Sequence, residues 1–339
     1  MVCLATKNSI FIKLLKITKI QIPCSQVFLA LSKYKTFYCR NNKNILLVDF
    51  FMSNDIMKHD ALYKIKGYFV ELLNYKIYSE DGTISAQKPV IVFLHGLGGG
   101  YSNWVYQVRY LKKEYDLLLI ELPSHGRKKF NMSELELNFD TVSKKIMEVV
   151  DHLGIDKATF AGISVGTLIV KHIAFTYPER VDKYILVGPV GKFTLLLKTA
   201  IRLTMLLLPI LPLKLVLTLV CLVVMPYKSL AYGRNLFLNS ARRVAPKEFV
   251  AWCKVLLSFP KIQKDYVETM KEEPNGLYVV GELDHFFLTM LKSDMKRVKN
   301  LAIVKNAGHI CSIDQYEAVN DLIIEFQETG TVKNNKNLK

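Results

Sequence analysis

Gly162-Ile163-Ser164-Val165-Gly166 is the stretch that decides the fold, because its serine lies between glycines where a strand pattern gives way to a helix pattern. Ala158 to Ala161 is a short apolar run typical of a buried strand, and Val165 to Tyr177 has the apolar spacing of a helix. A residue on so tight a strand-to-helix turn has strained backbone geometry, and flanking glycines relieve the crowding that side chains would cause. The motif predicts a Ser164 hydroxyl that projects above the end of a sheet.

The rest of the chain alternates between strand and helix patterns. One helix face runs from Phe139 to Leu153, where Asp140 can cap the start and Gly154 can end the helix, and the last helix pattern covers Asp314 to Gln327. This alternation predicts an α/β protein with a mostly parallel central sheet flanked by helices, and a site at the carboxyl ends of the strands. The predicted strands are Tyr68 to Leu72, Tyr75 to Tyr78, Pro89 to Leu94, Asp116 to Leu122, Ala158 to Ala161, Tyr184 to Val187, Leu277 to Val280 and Leu301 to Val304.

An apolar, basic insertion interrupts this alternation after the sixth predicted strand. We predict a helical cap over residues 191–272, between a first part of the core at 52–190 and a second part at 273–330. The longest uninterrupted apolar run in the cap, Leu215 to Met225, is too short to span a bilayer, so a lid over the site is favoured over a transmembrane segment. A lid that also docks on a membrane is the other alternative.

The positive charge is unevenly distributed along a chain whose formal net charge is +16. No acidic residue occurs from Met1 to Val48 or from Lys183 to Lys247, and residues 331–339 form a basic tail. The extension at 1–51 is interpreted as a targeting segment, a membrane-surface anchor or a dispensable leader. Because the second acid-free zone is also apolar, it indicates peripheral contact with an anionic membrane, and no nucleic-acid partner is predicted.

The six cysteines are scattered and form no CxxC pair, which argues against a disulfide framework or a zinc site. This usage favours a reducing, cytoplasmic compartment, with peripheral membrane association or organelle targeting through the leader as alternatives. No metal cluster or phosphate-binding loop is found, so we expect no metal and no cofactor.

His95-Gly96-Leu97-Gly98-Gly99 follows the strand that ends at Leu94 and supplies a second element of the predicted site. Backbone amides in such a loop can stabilise an oxyanion beside the serine, and we assign this role to the amides of Leu97 and Val165. A serine is a poor nucleophile without a base, which directs attention to the histidines.

His309 is the candidate base, because it lies between the last predicted strand and the last helix, at the same edge of the sheet as Ser164. The base needs an acid to fix its tautomer. Asp284 follows the strand Leu277 to Val280 and is the candidate, with Glu282 as its rival. The sequence thus predicts a catalytic triad in the order Ser164, Asp284, His309.

Residues 68–190 and 273–328 resemble the alpha/beta-hydrolase superfamily, in particular its lidded esterase, lipase and monoacylglycerol-lipase-like members. Two departures lie beside the site: Glu121 and Ser124 stand where these proteins usually have Asp and Gly, and Arg127-Lys128-Lys129 replaces small residues. The matching stretches are His95-Gly96-Leu97-Gly98-Gly99, Trp104, Glu121-Leu122-Pro123-Ser124-His125-Gly126, Gly162-Ile163-Ser164-Val165-Gly166, Gly281 to Asp284 and Gly308-His309.

The resemblance implies a serine hydrolase that cleaves a carboxylic ester through an acyl-enzyme on Ser164. The leucine-rich cap suggests an apolar acyl ester or a monoacylglycerol-like lipid as the substrate. A thioesterase, a carbon–carbon hydrolase or a cofactor-free haloperoxidase with the same triad is one alternative. A non-enzymatic ligand-binding protein of this fold is another, since a fold alone does not establish chemistry.

Overall fold

The computed structural model describes side chains over residues 72–85, 87–126, 136–264, 275–291 and 298–333, with further strand backbone before residue 72 and helix backbone through residue 269. The chain divides into two units, residues 1–59 and 60–339. In the first unit, strands β1 (Val27–Phe28), β2 (Thr36–Asn41) and β3 (Asn44–Asp49) form an antiparallel sheet. The side chains of this unit and residues 334–339 lie outside the described residues, so the roles given to the extension and the tail stay predictions.

The second unit is built on a seven-stranded sheet. A separate pair, β4 (Leu62–Ile65) and β5 (Tyr68–Glu71), precedes it. The spatial order in the large sheet is β12, β11, β10, β9, β7, β8, β6, and all neighbours are parallel except the antiparallel edge pair of β6 and β8. The strands are β6 (Tyr75–Tyr78), β7 (Val90–Leu94), β8 (Asp116–Ile120), β9 (Ala158–Ile163), β10 (Val181–Val187), β11 (Gly276–Gly281) and β12 (Asn300–Val304).

Helices cover both faces of this sheet, which is why its central strands are apolar on both sides. In β7, Val92 and Leu94 pack into the core on one face, while Ile91 and Phe93 pack into the core on the other. In the part of the chain that the structure describes, the α-helices outside the cap are α1 (Val105–Leu111), α2 (Phe139–His152), α3 (Val165–Thr176), α8 (His285–Leu291), α9 (Cys311–Asp314) and α10 (Tyr316–Thr329). The predicted α/β architecture is confirmed.

The strand order creates the crevice in which the site lies. From β7 the chain passes to β8 on one side of it and then crosses back to β9 on the other side. The loops that follow β7 and β9 therefore face each other at the carboxyl end of the sheet, as expected at a point where strand order reverses.

The start of α2 differs from the prediction. Asp140 does not cap this helix; the cap is Asn138, whose side chain accepts a hydrogen bond of 2.9 Å from the Thr141 amide. Asp140 lies in the first helical turn, and its carboxylate is 3.0 Å from a ring nitrogen of His172. Both positions carry a residue type that can cap a helix, so the sequence pattern alone did not distinguish them.

The insertion between β10 and β11 contains four α-helices, and we use the name cap for this segment: α4 (Leu195–Leu207), α5 (Leu213–Val224), α6 (Ala231–Ala241) and α7 (Pro246–Thr269). It follows the sixth of the predicted strands but the fifth strand of the large sheet, because β5 pairs with β4 instead. Trp252 of α7 is fully buried and donates a hydrogen bond of 3.1 Å from Nε1 to the Pro123 carbonyl of the core.

Among the described helices, none combines the length and the apolar character that a bilayer crossing requires.

Candidate active site

The turn between β9 and α3 holds Ser164 in a strained conformation. Its φ and ψ are +53° and −115°, a region that L-residues rarely occupy. A Cβ at Gly162 would collide with the backbone of Gly166, and a Cβ at Gly166 would collide with the carbonyl of Leu94. The two glycines are thus required by close backbone approach, and the turn projects Ser164 over the sheet edge.

Three segments that are distant in sequence bring Ser164, His309 and Asp284 into one hydrogen-bonded chain. The Ser164 Oγ lies 3.0 Å from His309 Nε2, and His309 Nδ1 lies 2.8 Å from Asp284 Oδ2. With a neutral ring protonated at Nδ1, the serine donates to the imidazole and the imidazole donates to the carboxylate. This geometry matches that of a nucleophile, a base and an acid that orients the base.

Asp284 is completely buried, at 0% exposure, at the start of α8. Its backbone amide donates a hydrogen bond of 3.1 Å to the Gly281 carbonyl, and this bond fixes the turn after β11. The rival carboxylate, Glu282, accepts instead from the Asn306 amide at 3.1 Å. Glu282 therefore holds a neighbouring loop, and Asp284 is the carboxylate that contacts the imidazole.

His309 is enclosed on several sides, so its ring has little freedom to rotate. The ring of Phe287 stacks on the imidazole with centroids 4.2 Å apart, and a Cβ at Gly188 would collide with the His309 carbonyl. The amide of Gly308, the residue before the histidine, donates a hydrogen bond of 3.0 Å to Asp314 Oδ2. These contacts fix the ring in the orientation that reaches Ser164.

The loop after β7 lies directly against the serine. A Cβ at Gly96 would be 3.2 Å from the Ser164 Cβ, and Leu97 and Val165 line the same cavity as Ser164. Within the described ranges, no carbonyl or side chain accepts a hydrogen bond from the amide of Leu97 or Val165. Both amides can therefore donate a hydrogen bond to a group bound beside the serine.

Two buried histidines shape this loop and take no part in the triad. His95 Nε2 accepts from the Leu122 amide at 3.1 Å, and His125 Nε2 accepts from the Gly98 amide at 2.9 Å. Each ring must then carry its proton on Nδ1, which donates to a backbone carbonyl. Burial lowers the pKa of His95 to about 3, and His125 adds to this effect, so His95 is neutral and structural.

The two departures from the family pattern have structural consequences beside the loop. Ser124 adopts a φ of +65°, a conformation that favours the glycine usual at this position. Glu121 is buried against Gly126, so that a Cβ at position 126 would collide with the Glu121 carboxylate. Burial raises the pKa of the Glu121 carboxyl. Arg127-Lys128-Lys129 lies outside the described residues.

A cavity of about 350 Å³ opens above Ser164 and extends under the cap. Its walls are almost entirely apolar and come from both the core and the cap helices, including Leu197, Ile201, Val216, Val220, Leu256 and Phe286. Its volume is at the small end of the range of ligand pockets. The arrangement can hold a compact apolar group next to a nucleophilic hydroxyl.

Asp314 is the residue beside the triad that the sequence analysis missed. Burial raises the pKa of its carboxyl to about 6, and the Gly308 amide and His309 oppose this shift. Part of the burial comes from the cap, because a Cβ at Gly233 of α6 would lie 2.8 Å from Asp314 Oδ1. Its only sequence signal was its nearness to His309, and nothing in the pattern indicated that the fold would bury it.

Asp314 is expected to make the stability of the protein depend on pH. Its folded pKa lies above the unfolded value of about 3.9, so the folded state loses relative stability as the pH rises from about 4 to about 6. The predicted quantity is the free energy of unfolding of Asp314→Asn minus that of wild type. We expect this difference to be about 1 to 2 kcal/mol larger at pH 7.5 than at pH 4.5. Urea titrations at both pH values measure this, and an equal difference at the two values would refute it.

Comparison with known proteins supports the same architecture. The family described as the alpha/beta hydrolase fold matches residues 89–209. A putative esterase/lipase from Haemophilus influenzae is 29% identical over 138 residues, which is 41% of this chain and 45% of that protein. The 3-oxoadipate enol-lactonase 2 of Acinetobacter baylyi is 28% identical over 120 residues, 35% of this chain and 42% of that protein. The chain thus matches less than half the length of these curated relatives.

Solved structures match over a larger part of the chain. A structure of a carboxylesterase from Nitrososphaera gargenis has a TM-score of 0.63 at 20% identity and covers 76% of this chain and 94% of its own. At this identity the likeness concerns the fold. The resemblance to the superfamily is confirmed, whereas the narrower resemblance to monoacylglycerol-lipase-like members stays a prediction.

Proposed function

We propose that this chain, which has the alpha/beta-hydrolase fold, is a serine hydrolase that cleaves an apolar carboxylic ester through an acyl-enzyme on Ser164. The observation that carries the proposal is the hydrogen-bonded chain from Ser164 Oγ through His309 to Asp284, at 3.0 and 2.8 Å. The relatives include proteins named as an esterase/lipase and an enol-lactonase, both of which are consistent with acyl transfer to water.

The reaction follows from the order of the hydrogen bonds. His309 Nε2 accepts the Ser164 proton as Oγ attacks the ester carbonyl carbon, and Asp284 stabilises the imidazolium that forms. Collapse of the tetrahedral intermediate breaks the bond to the leaving alkoxide, which takes the proton from His309. Water then repeats the attack on the acyl-enzyme with His309 as base, which releases the carboxylic acid and regenerates the serine.

The amides of Leu97 and Val165 are the proposed donors to the oxyanion. They lie beside the serine and, within the described residues, make no other hydrogen bond. A donor of this kind contributes about 2.7 to 4 kcal/mol to the transition state, because it is oriented before the reaction begins.

The substrate class is inferred from the cavity. A volume of about 350 Å³ with apolar walls suits an acyl chain of moderate length and offers no charged partner for a polar acid. Each methylene group transferred from water to such a cavity contributes up to about 0.8 kcal/mol, or about fourfold in kcat/KM if it is retained in the transition state.

A chain-length series of p-nitrophenyl esters tests the proposal. We expect kcat/KM to rise at least about tenfold from the acetate to the octanoate, since each added methylene group gains burial. Ala200 lines the cavity, whereas its neighbour Thr199 is exposed and does not. Ala200→Phe should therefore abolish the preference for octanoate, and Thr199→Phe should retain it. Absence of any ester turnover, or exclusive use of the acetate, would contradict the proposal.

A further inference from the structure

The outer face of the cap is unusually apolar. Of the twelve large apolar side chains that are exposed among the described residues, eleven lie between Leu195 and Tyr232. They reach 76% exposure at Leu195 and 71% at Ile210. Scattered exposed leucines are ordinary, but a concentration of this kind marks an interaction surface. We call this surface the cap face; its members are Leu195, Leu196, Leu203, Leu206, Ile210, Leu215, Leu219, Leu222, Val223, Tyr227 and Tyr232.

Helical spacing places these side chains in stripes. In α5, Leu215, Leu219, Leu222 and Val223 recur at the interval of one helix face, and this face is exposed. The opposite side of the helix is buried in the cap interior through Val216, Leu217 and Cys221. A surface helix normally carries polar residues on the side away from its core, so α5 is apolar on the side where water is expected.

Basic residues accompany the cap face, and acidic residues do not. Lys192, Arg202, Lys214 and Lys228 are exposed, and the sequence from 183 to 247 contains no Asp or Glu. An apolar surface with a positive border suits an anionic lipid surface, where acyl chains receive the leucines and headgroups attract the lysines. A second copy of the same face would bring like charges together, and nucleic acid would leave the leucines uncovered.

The cap face is continuous with the cavity above Ser164. Leu203, Leu219 and Val223 are each about half exposed, and the same three side chains line the cavity. The cavity wall and the cap face therefore share side chains of α4 and α5. A lipid that leaves a membrane at this point would enter the cavity without passing through water.

We propose that the cap face docks on an anionic membrane surface and that the cavity takes its substrate from that surface. The docking is independent of the chemistry, whereas delivery of a lipid ester to Ser164 rests on the proposed function. The two parts are tested by separate measurements, so that failure of one is distinguishable from failure of the other.

Flotation of the full chain with vesicles tests the docking. Vesicles of phosphatidylcholine with about 30% phosphatidylglycerol should bind the protein. Vesicles of pure phosphatidylcholine should bind it at least about fivefold less, because only the anionic lipid attracts the basic border. Binding should also weaken as the salt concentration rises.

The decisive variant replaces four cap-face leucines that do not line the cavity: Leu196→Ser, Leu206→Ser, Leu215→Ser and Leu222→Ser. We expect it to lose binding at least about tenfold while turnover of a soluble ester is retained, which reports an intact fold. Tyr110→Ser is the control, because Tyr110 is the one exposed large apolar side chain outside the cap among the described residues.

The charged border has its own matched pair of triple variants. Lys192→Gln, Arg202→Gln and Lys214→Gln should weaken binding to anionic vesicles at least about fivefold. Lys112→Gln, Lys144→Gln and Lys157→Gln remove the same charge from exposed positions in the core and should leave binding unchanged.

Delivery is measured as the ratio of turnover of an ester embedded in anionic vesicles to turnover of a soluble ester. The four-leucine variant should lower this ratio by about the factor by which it loses binding. Equal flotation of wild type and this variant would overturn the docking. The docking would also be overturned if light scattering showed a stable dimer that does not bind vesicles and that the four-leucine variant dissociates. A second copy of the chain would then be the occupant of the cap face.

Discussion

Ser164→Ala is expected to lower ester turnover by a factor on the order of 10⁵ or more while the protein stays folded. The hydroxyl is the atom that forms the acyl bond, and no other described hydroxyl is hydrogen-bonded to His309. Alanine fits the same turn, because it keeps the Cβ that already lies beside Gly96 and only lacks Oγ. Steady-state kinetics with p-nitrophenyl octanoate and a urea titration measure the two effects.

Ser102→Ala is the matched control for this variant. Ser102 is also partly buried, and its Oγ lies 3.3 Å from Ser240 Oγ, away from the triad. We expect its kcat to remain within about threefold of wild type, as for substitutions away from special features. Equal residual turnover in the two variants would remove Ser164 from the mechanism.

Asp284→Asn is expected to lower kcat about 10⁴-fold with little change in KM. An amide in place of the buried carboxylate cannot stabilise the imidazolium, and it can hold the ring in the wrong tautomer. The side chain is similar in size, so the packing around this fully buried position is retained. Single-turnover kinetics should place the loss in the acylation step.

Glu282→Gln provides the comparison, because it removes a carboxylate two residues away that contacts Asn306 and not His309. We expect a loss of kcat of less than about tenfold. A larger loss from Glu282→Gln than from Asp284→Asn would transfer the role of the acid to Glu282.

The parts of the site that sequence predicted are those with local signals. Gly162 and Gly166 indicated a turn with no room for side chains, and their contacts with neighbouring backbone explain that requirement. Parallel strands end at one edge of a sheet, so residues that follow β9, β11 and β12 had to meet there. The positions of His309 and Asp284 after their strands were therefore enough to predict that both lie near Ser164.

The parts that sequence did not predict depend on contacts between distant segments. β5 has a strand pattern as clear as that of β6, yet β5 pairs with β4, whereas β6 pairs with β8 in the large sheet. Asp314 gains its raised pKa from burial that Gly233 of the cap contributes to, 81 positions away in the chain. Local periodicity contains no information about such partners, and competing capping residues such as Asn138 and Asp140 cannot be separated by it either.

The central claim is that His309 and Asp284 activate Ser164 as a nucleophile. The most direct measurement is the rate of covalent labelling by a fluorophosphonate, with the modified peptide identified by mass spectrometry. We predict one adduct per chain, on Ser164, with a labelling rate that falls at least about a hundredfold in His309→Ala. An adduct on another residue, or labelling of His309→Ala at the rate of the wild type, would contradict the account.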